Sequence, residues 1–131
     1  MEQKVGPIQV LLVDDNPLMR QGLRSLLESY SNIEVVGEAI NGEDAVLKAG
    51  MLQPAVIVMD INMPKLDGVA ATRLIKVNNP HIAVLGLTAN AQGYLVDAML
   101  KAGAFEVLSK DQAAGELYDA VQRARTPIRP I

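Results

Sequence analysis

Short apolar runs alternate with stretches of helical periodicity five times along the chain. The runs are solid blocks of Val, Ile and Leu without polar alternation, which is typical of parallel strands covered on both faces. Five strands are therefore predicted, over Ile8–Val13, Ile33–Glu38, Ala55–Met59, Ile82–Leu87 and Phe105–Leu108.

The segments between these runs predict five helices. The first begins at Asn16 and Pro17, a capping residue followed by proline at the first helical position. The last carries apolar residues at spacings i, i+3, i+4 and i+7. The other three are predicted from Asn41 to near Gly50, from about Asp67 to Val77, and from about Ala91 to Lys101.

Five strand–helix units of this length imply right-handed crossovers and an α/β, doubly wound fold. We expect a (βα)5 flavodoxin-like fold with a parallel five-stranded sheet, and take its strand order as 2-1-3-4-5 from the strand count. One domain is predicted over residues 8–125. Residues 1–7 would be an N-terminal tail, and residues 126–131, with two prolines and no periodicity, a tail or linker.

Composition excludes several classes of function. The 131 residues include 12 Lys and Arg against 15 Asp and Glu, a net charge of −3, which is too acidic for a domain that binds nucleic acid through its own basic face. The absence of cysteine excludes disulfides and thiolate sites. No signal peptide is visible, and the apolar runs are far shorter than the ~20 residues of a membrane span. A cytoplasmic location is expected, and His81 is interpreted as an ordinary loop histidine.

Polar side chains follow four of the five predicted strands at the point where each strand ends. Asp14 and Asp15 follow the first strand, Asp60 the third and Thr88 the fourth, while the fifth leads to Lys110. In open α/β sheets, ligands bind outside the carboxyl ends of the strands where the strand order reverses. We therefore expect three carboxylates, a hydroxyl and an ammonium at one rim of the sheet.

Three neighbouring carboxylates require a counter-charge. Two unit charges about 4 Å apart repel by about 4 kcal/mol at an effective dielectric near 20. Oxygen ligands without histidine or cysteine indicate Mg²⁺, with Mn²⁺ able to substitute. A phosphoryl group would meet a carboxylate nucleophile, a Lewis acid, a lysine and a hydroxyl at this rim. Any one of these residues alone could equally be a helix cap, so the prediction depends on the whole set.

This ordered set resembles the receiver domain of bacterial two-component response regulators. The resemblance covers about Ile8 to Ala124. Asp111 after Lys110 is common in the LuxR-type helix-turn-helix branch, which favours a transcription regulator. The matching stretches are Val10–Pro17, Val58–Pro64 with Asp67 and Gly68, Leu87–Ala89, and Ser109 with Lys110.

The resemblance implies roles for the acidic residues. Asp60 would accept the phosphoryl group. Asp15 and Asp60 would bind Mg²⁺ directly, together with the backbone carbonyl of Asn62, and Asp14 would act mainly through a metal-bound water. Gly68 fits a tight loop beside the site.

The resemblance also implies a switch. Lys110 would pair with Asp60 at rest and with the phosphoryl group afterwards, while Thr88 would turn its hydroxyl toward a phosphoryl oxygen. Three residues before the lysine the family usually has an aromatic residue, but this chain has Val107. Phe105 lies nearby, and we expect it to pack in the core.

The function implied is phosphoacceptor signalling and not enzymatic turnover, although the domain would take part in its own phosphorylation and dephosphorylation. A histidine kinase or phosphotransfer protein is the expected partner, a homodimer is open, and DNA would be contacted only through an output domain. No membrane partner is expected.

Three alternatives remain. A flavodoxin-like cofactor binder needs a Ser/Thr/Gly-rich loop after the first strand, where this chain has Asp-Asp-Asn-Pro. An aspartyl-phosphate phosphatase of the haloacid-dehalogenase type needs an acidic general acid where Asn62 stands. The receiver module of a hybrid histidine kinase, or a stand-alone relay, is not distinguished by the residues above.

Overall fold

The structure, a computed structural model, describes residues 6–63, 67–89 and 93–125. All five strands pair in parallel in one sheet of order β2-β1-β3-β4-β5, which confirms the predicted fold and strand order. The strands are β1 (Ile8–Val13), β2 (Ile33–Ala39), β3 (Val56–Asp60), β4 (Ala83–Thr88) and β5 (Glu106–Ser109). The helices are α1 (Pro17–Glu28), α2 (Gly42–Leu52), α3 (Gly68–Asn78), α4 (Tyr94–Lys101) and α5 (Lys110–Arg125).

Several predicted features lie outside the described residues. These are Pro64, the start of the fourth helix at Ala91, residues 1–5 of the N-terminal tail and the whole C-terminal tail, 126–131. The division of the chain into a domain and two tails therefore stays a prediction. Within the described residues, no helix has the length and apolar character to cross a membrane.

Side-chain caps fix where three helices begin. The Asn16 side chain accepts hydrogen bonds from the backbone N–H groups of Leu18 and Met19, at 2.9 and 3.1 Å. Asn41 and Asp67 cap α2 and α3 in the same way, at 2.8 and 2.9 Å. Such oxygens satisfy N–H groups that have no partner within the helix. The predicted starts of these helices are confirmed, and the caps Asn16 and Asn41 lie just beyond the ends of β1 and β2.

Two apolar layers enclose the sheet. On one side α1 and α5 cover it, and on the other side α2, α3 and α4 do. Alternate residues of β1 belong to different layers, Val10 and Leu12 to the first and Leu11 and Val13 to the second. This arrangement explains the solid apolar runs, because both faces of each central strand are buried.

Phe105 corrects one expectation, because it is not a core residue. Its side chain is 46% exposed, and it precedes β5 at the edge of the sheet. Only its backbone joins the sheet, through a hydrogen bond from its N–H to the carbonyl of Val84 (2.8 Å). Aromatic character predicted burial, but the start of an edge strand has too few neighbours to cover a ring. His81 is exposed and lies 2.7 Å from the Gln53 side chain, as expected for a loop histidine.

Candidate metal and phosphoryl-acceptor site

Three carboxylates meet where the strand order reverses. Asp14 and Asp15 follow β1, and Asp60 is the last residue of the neighbouring strand β3. One carboxylate oxygen from each lies within 4.8 Å of the others. Asp14 and Asp60 are buried while Asp15 is exposed, so the cluster opens to solvent on one side. The predicted acidic rim is therefore present as a single group.

Lys110 supplies the nearby positive charge. It is the first residue of α5, directly after β5. Its Nζ lies 3.4 Å from Asp60 Oδ1 and 4.0 Å from Asp14 Oδ2. One ammonium among three carboxylates leaves the group with excess negative charge, which favours a bound cation.

The donor atoms fit a hard divalent cation. Asp14 Oδ1 accepts a hydrogen bond from the N–H of Asn16 (2.8 Å). Asp14 Oδ2 is buried and has no hydrogen-bond partner among the described residues. A buried carboxylate oxygen without a hydrogen bond costs free energy, and a metal ion or its bound water would remove this cost. Every candidate ligand is an oxygen atom, the set that Mg²⁺ prefers.

Backbone hydrogen bonds fix Asp60 and the two residues that follow it. The N–H of Asn62 donates to Asp60 Oδ1 at 3.1 Å. The N–H of Ile61 donates to the carbonyl of Leu87 on β4 (2.9 Å), and the N–H of Gly68 donates to the carbonyl of Ile61 (3.2 Å). The carboxylate thus projects from a segment whose position is set by β4 and by the start of α3.

Thr88 ends the strand beside Asp60. It is buried and pairs with Ser109 of β5, while Asp60 itself pairs with Leu87. The Thr88 hydroxyl therefore belongs to the same rim, because Thr88 directly follows Leu87, the residue that pairs with Asp60. All the predicted site residues lie at this rim, and the contacts above link Asp14, Asp60, Asn62 and Lys110 directly.

Burial raises the pKa of Asp60 above the ordinary value of an aspartate. The negative charge of Asp14 adds to this effect, whereas Lys110 and the N–H of Asn62 oppose it. The ionised form of Asp60 is therefore disfavoured in the folded domain relative to the unfolded chain, as long as no cation is bound.

We expect Asp60→Asn to stabilise the metal-free domain at neutral pH. A group whose folded pKa is raised makes its favourable contribution below its unfolded pKa and loses it as the pH rises through the folded pKa. A tenfold difference in proton affinity between the folded and unfolded chain corresponds to about 1.4 kcal/mol. Urea unfolding in EDTA should show the gain at pH 7 and its disappearance below about pH 4, near the ordinary pKa of an aspartate.

The exposed carboxylate of Asp119 provides the control for that comparison. Asp119→Asn should change the free energy of unfolding by less than about 0.5 kcal/mol at either pH. An Asp60→Asn domain that is no more stable than wild type at pH 7 would contradict the electrostatic account.

Gly68 allows the tight approach of α3 to the Asp60 loop. A Cβ atom there would lie 2.8 Å from both the carbonyl oxygen of Asp60 and the Cα of Ile61. Because both neighbours are backbone atoms, we expect Gly68→Ala to lower the free energy of unfolding by about 1–3 kcal/mol. Gly115→Ala, in the exposed middle of α5 with nothing within 4 Å, should instead add up to about 1 kcal/mol. Equal changes in the free energy of unfolding for Gly68→Ala and Gly115→Ala, measured in urea, would show that the contact at Gly68 does not affect stability.

One contact beside the site was missed by the sequence analysis. Arg20 Nη1 donates a hydrogen bond to the carbonyl oxygen of Asp14 (2.7 Å). Arg20 also pairs with Glu38 at the end of β2. Two arginines four residues apart and an acidic residue in a strand would have suggested an ion pair. No sequence signal indicates the bond to Asp14.

Comparison with known proteins agrees with this geometry. Residues 10–122 match the family model of the response regulator receiver domain. The response regulator protein VraR of Staphylococcus aureus is 42% identical over 116 residues, which cover 88% of this chain and 56% of VraR. The chain thus spans little more than half the length of this relative.

Two solved structures share the fold. The response regulator domain of Thermotoga maritima CheB is 33% identical with a TM-score of 0.86, over 95% of this chain and 99% of that one. A LuxR-family two-component response regulator from Aurantimonas is 29% identical with a TM-score of 0.85, over 90% of this chain and 84% of that one. The receiver family expected from the strand-end residues is confirmed, and the similar structures include a LuxR-family regulator, the branch that Asp111 favours. The chain belongs to the response regulator receiver domain family.

Proposed function

We propose that Asp60 accepts a phosphoryl group from a phosphohistidine, and that this controls an output carried elsewhere in the full protein. The observation that carries the proposal is a buried carboxylate, 2% exposed, with an ammonium 3.4 Å away in a cluster of acidic groups. Membership of the receiver family supports phosphoacceptor signalling in place of enzymatic turnover.

The chemistry is a displacement at phosphorus. An ionised oxygen of Asp60 forms the new O–P bond, while the P–N bond of the phosphohistidine breaks and its electron pair stays on the imidazole. Lys110 offsets the negative charge that the transfer brings into the site. The Thr88 hydroxyl donates a hydrogen bond to a phosphoryl oxygen, and these charge-assisted bonds favour the phosphorylated arrangement.

We propose Asp14, Asp15, Asp60 and the carbonyl of Asn62 as the residues that hold Mg²⁺, with Mn²⁺ able to replace it. When bound, the ion supplies Lewis-acid stabilisation of the phosphoryl oxygens. The buried Oδ2 of Asp14, which has no hydrogen-bond partner among the described residues, supports this assignment. The same groups would assist both phosphorylation and hydrolysis, so the domain would take part in its own dephosphorylation.

We propose a histidine kinase or phosphotransfer protein as the donor and transcription as the output. The likeness to VraR and to a LuxR-family regulator supports this reading. DNA would be contacted through an output domain beyond residues 126–131, which would serve as the linker. A hybrid kinase module, a stand-alone relay and a homodimer stay as alternatives, and the cytoplasmic location stays a prediction.

Mass spectrometry of the intact domain tests the proposed function. Incubation with acetyl phosphate and Mg²⁺ should add one phosphoryl group, and EDTA should prevent the addition. Phosphohistidine-containing protein should serve as a donor in the same way. No adduct with either donor would contradict the proposal. Steady hydrolysis of p-nitrophenyl phosphate without an adduct would also contradict it, and would favour the phosphatase alternative.

A further inference from the structure

Arg20 connects the acidic site to the edge strand β2. It lies in the first turns of α1, where its backbone N–H donates to the carbonyl of Asn16 (3.0 Å). Its Nη1 donates to the carbonyl oxygen of Asp14 (2.7 Å), and its Nε donates to Glu38 Oε1 (2.6 Å). The side chain is only 17% exposed, so this forked pair of bonds is largely sheltered from water. Sheltered, charge-assisted bonds of this kind have defined geometry.

Glu38 is itself held in place from two further directions. Arg24 Nη1 donates to Glu38 Oε2 at 2.5 Å, and Lys48 Nζ donates to the Glu38 carbonyl oxygen at 2.5 Å. The hydrogen bond from Arg24, and to a smaller extent the one from Arg20, lower the pKa of Glu38. This carboxylate is therefore ionised at neutral pH. The guanidinium of Arg20 is therefore anchored at one end by a fixed negative charge.

At its other end Arg20 completes the backbone hydrogen bonds of Asp14. The Asp14 N–H donates to the carbonyl of Ala39 (3.1 Å), and its Oδ1 accepts from the N–H of Asn16 (2.8 Å). With the carbonyl held by Arg20, both backbone groups of Asp14 and one carboxylate oxygen are engaged. Oδ2 is left 4.0 Å from Lys110 Nζ in the acidic group. The held carbonyl belongs to the peptide unit that joins Asp14 to Asp15, so its orientation also sets the direction in which Asp15 leaves the strand.

We propose that Arg20 is a positioning residue for the metal site, which aims the Asp14–Asp15 pair by holding the peptide unit between them. This inference rests on the proposed function in one respect, that the acidic cluster binds Mg²⁺. The competing interpretation is that Arg20 only ties α1 to β2. The two differ in outcome, because a simple tie contributes to stability without affecting metal affinity.

Arg24 provides a matched control, since it lies on the same helix and binds the same Glu38 without contacting Asp14 in the structure. Mg²⁺ titrations without any phosphodonor, followed by the backbone amide chemical shifts in NMR spectra, give the Mg²⁺ dissociation constant of each variant. Arg20→Met should raise it about tenfold, the lower end of the effect of losing a residue that orients metal ligands. Arg24→Met should leave it within the error of wild type. Urea unfolding in EDTA should show similar losses of stability in both.

The rate of phosphorylation by acetyl phosphate adds a second readout. In Arg20→Met the Mg²⁺ concentration for half-maximal rate should rise by the same factor as the dissociation constant, while the rate at saturating Mg²⁺ stays close to wild type. Arg20→Lys should behave like Arg20→Met, because an ammonium cannot bridge the carbonyl and the carboxylate as a guanidinium fork does.

Equal Mg²⁺ affinities for Arg20→Met and wild type would overturn the positioning role. So would equal losses of Mg²⁺ affinity in Arg20→Met and Arg24→Met. The binding experiment is independent of phosphoryl transfer. A wild-type domain that binds Mg²⁺ but takes up no phosphoryl group would refute the proposed function, while the affinity comparison would still decide the role of Arg20.

Discussion

Asp60→Asn is expected to abolish phosphoryl uptake from acetyl phosphate and from a phosphohistidine donor. An amide carries no negative charge and is a far weaker nucleophile than a carboxylate. The structure places no other ionised group of the site in the same position, because Asp14 and Asp15 lie on the neighbouring strand end and Lys110 is cationic. Intact mass spectrometry at saturating Mg²⁺ should show only unmodified protein.

Asp67 supplies the control for this loss. It lies close in sequence, at the start of α3, but it is absent from the group of three carboxylates and acts as the N-cap of the helix. Asparagine caps helices about as well as aspartate, so Asp67→Asn should leave uptake near the wild-type level. An adduct that persists unchanged in Asp60→Asn would mean that another residue is the acceptor.

Lys110→Met should slow phosphoryl uptake about 10²-fold at saturating Mg²⁺, the usual scale for losing one preorganised group that stabilises transition-state charge. The lysine lies 3.4 Å from the acceptor oxygen and counters the charge of both Asp60 and Asp14. It also lowers the pKa of Asp60 against the effect of burial. Its loss should therefore disfavour the ionised form of Asp60 further in the metal-free domain.

Lys101→Met is the matching control, since this lysine is 78% exposed and pairs only with Asp97 among the described contacts. It should take up the phosphoryl group at the wild-type rate in a time course followed by mass spectrometry. Equal rates for Lys110→Met and wild type would remove the lysine from the proposed chemistry.

The fold and the acidic rim could be predicted from sequence because both depend on local signals. Solid apolar runs identify strands buried on two faces, and the caps at Asn16, Asn41 and Asp67 are visible in the sequence. Once the strands are placed, parallel pairing brings their carboxyl ends to one rim. Asp14 and Asp60 then become neighbours without any knowledge of side-chain geometry.

Other features depend on packing that sequence patterns do not encode. The exposure of Phe105 follows from its place at the start of an edge strand. The bond between Arg20 and Asp14 joins residues on different elements and depends on the direction of a long side chain. The close approach at Gly68 was foreseen only as a tight loop, whereas the structure identifies the carbonyl of Asp60 as the atom that a side chain would meet.

The most direct test of the central claim is to locate the phosphoryl group. Borohydride reduces an acyl phosphate to the alcohol, so treatment of the phosphorylated domain should convert the modified aspartate to homoserine. Tandem mass spectrometry of the peptides should find homoserine at position 60 and nowhere else. Homoserine at position 14 or 15, or a phosphate that survives borohydride on a hydroxyl side chain, would contradict the assignment of Asp60 as the acceptor.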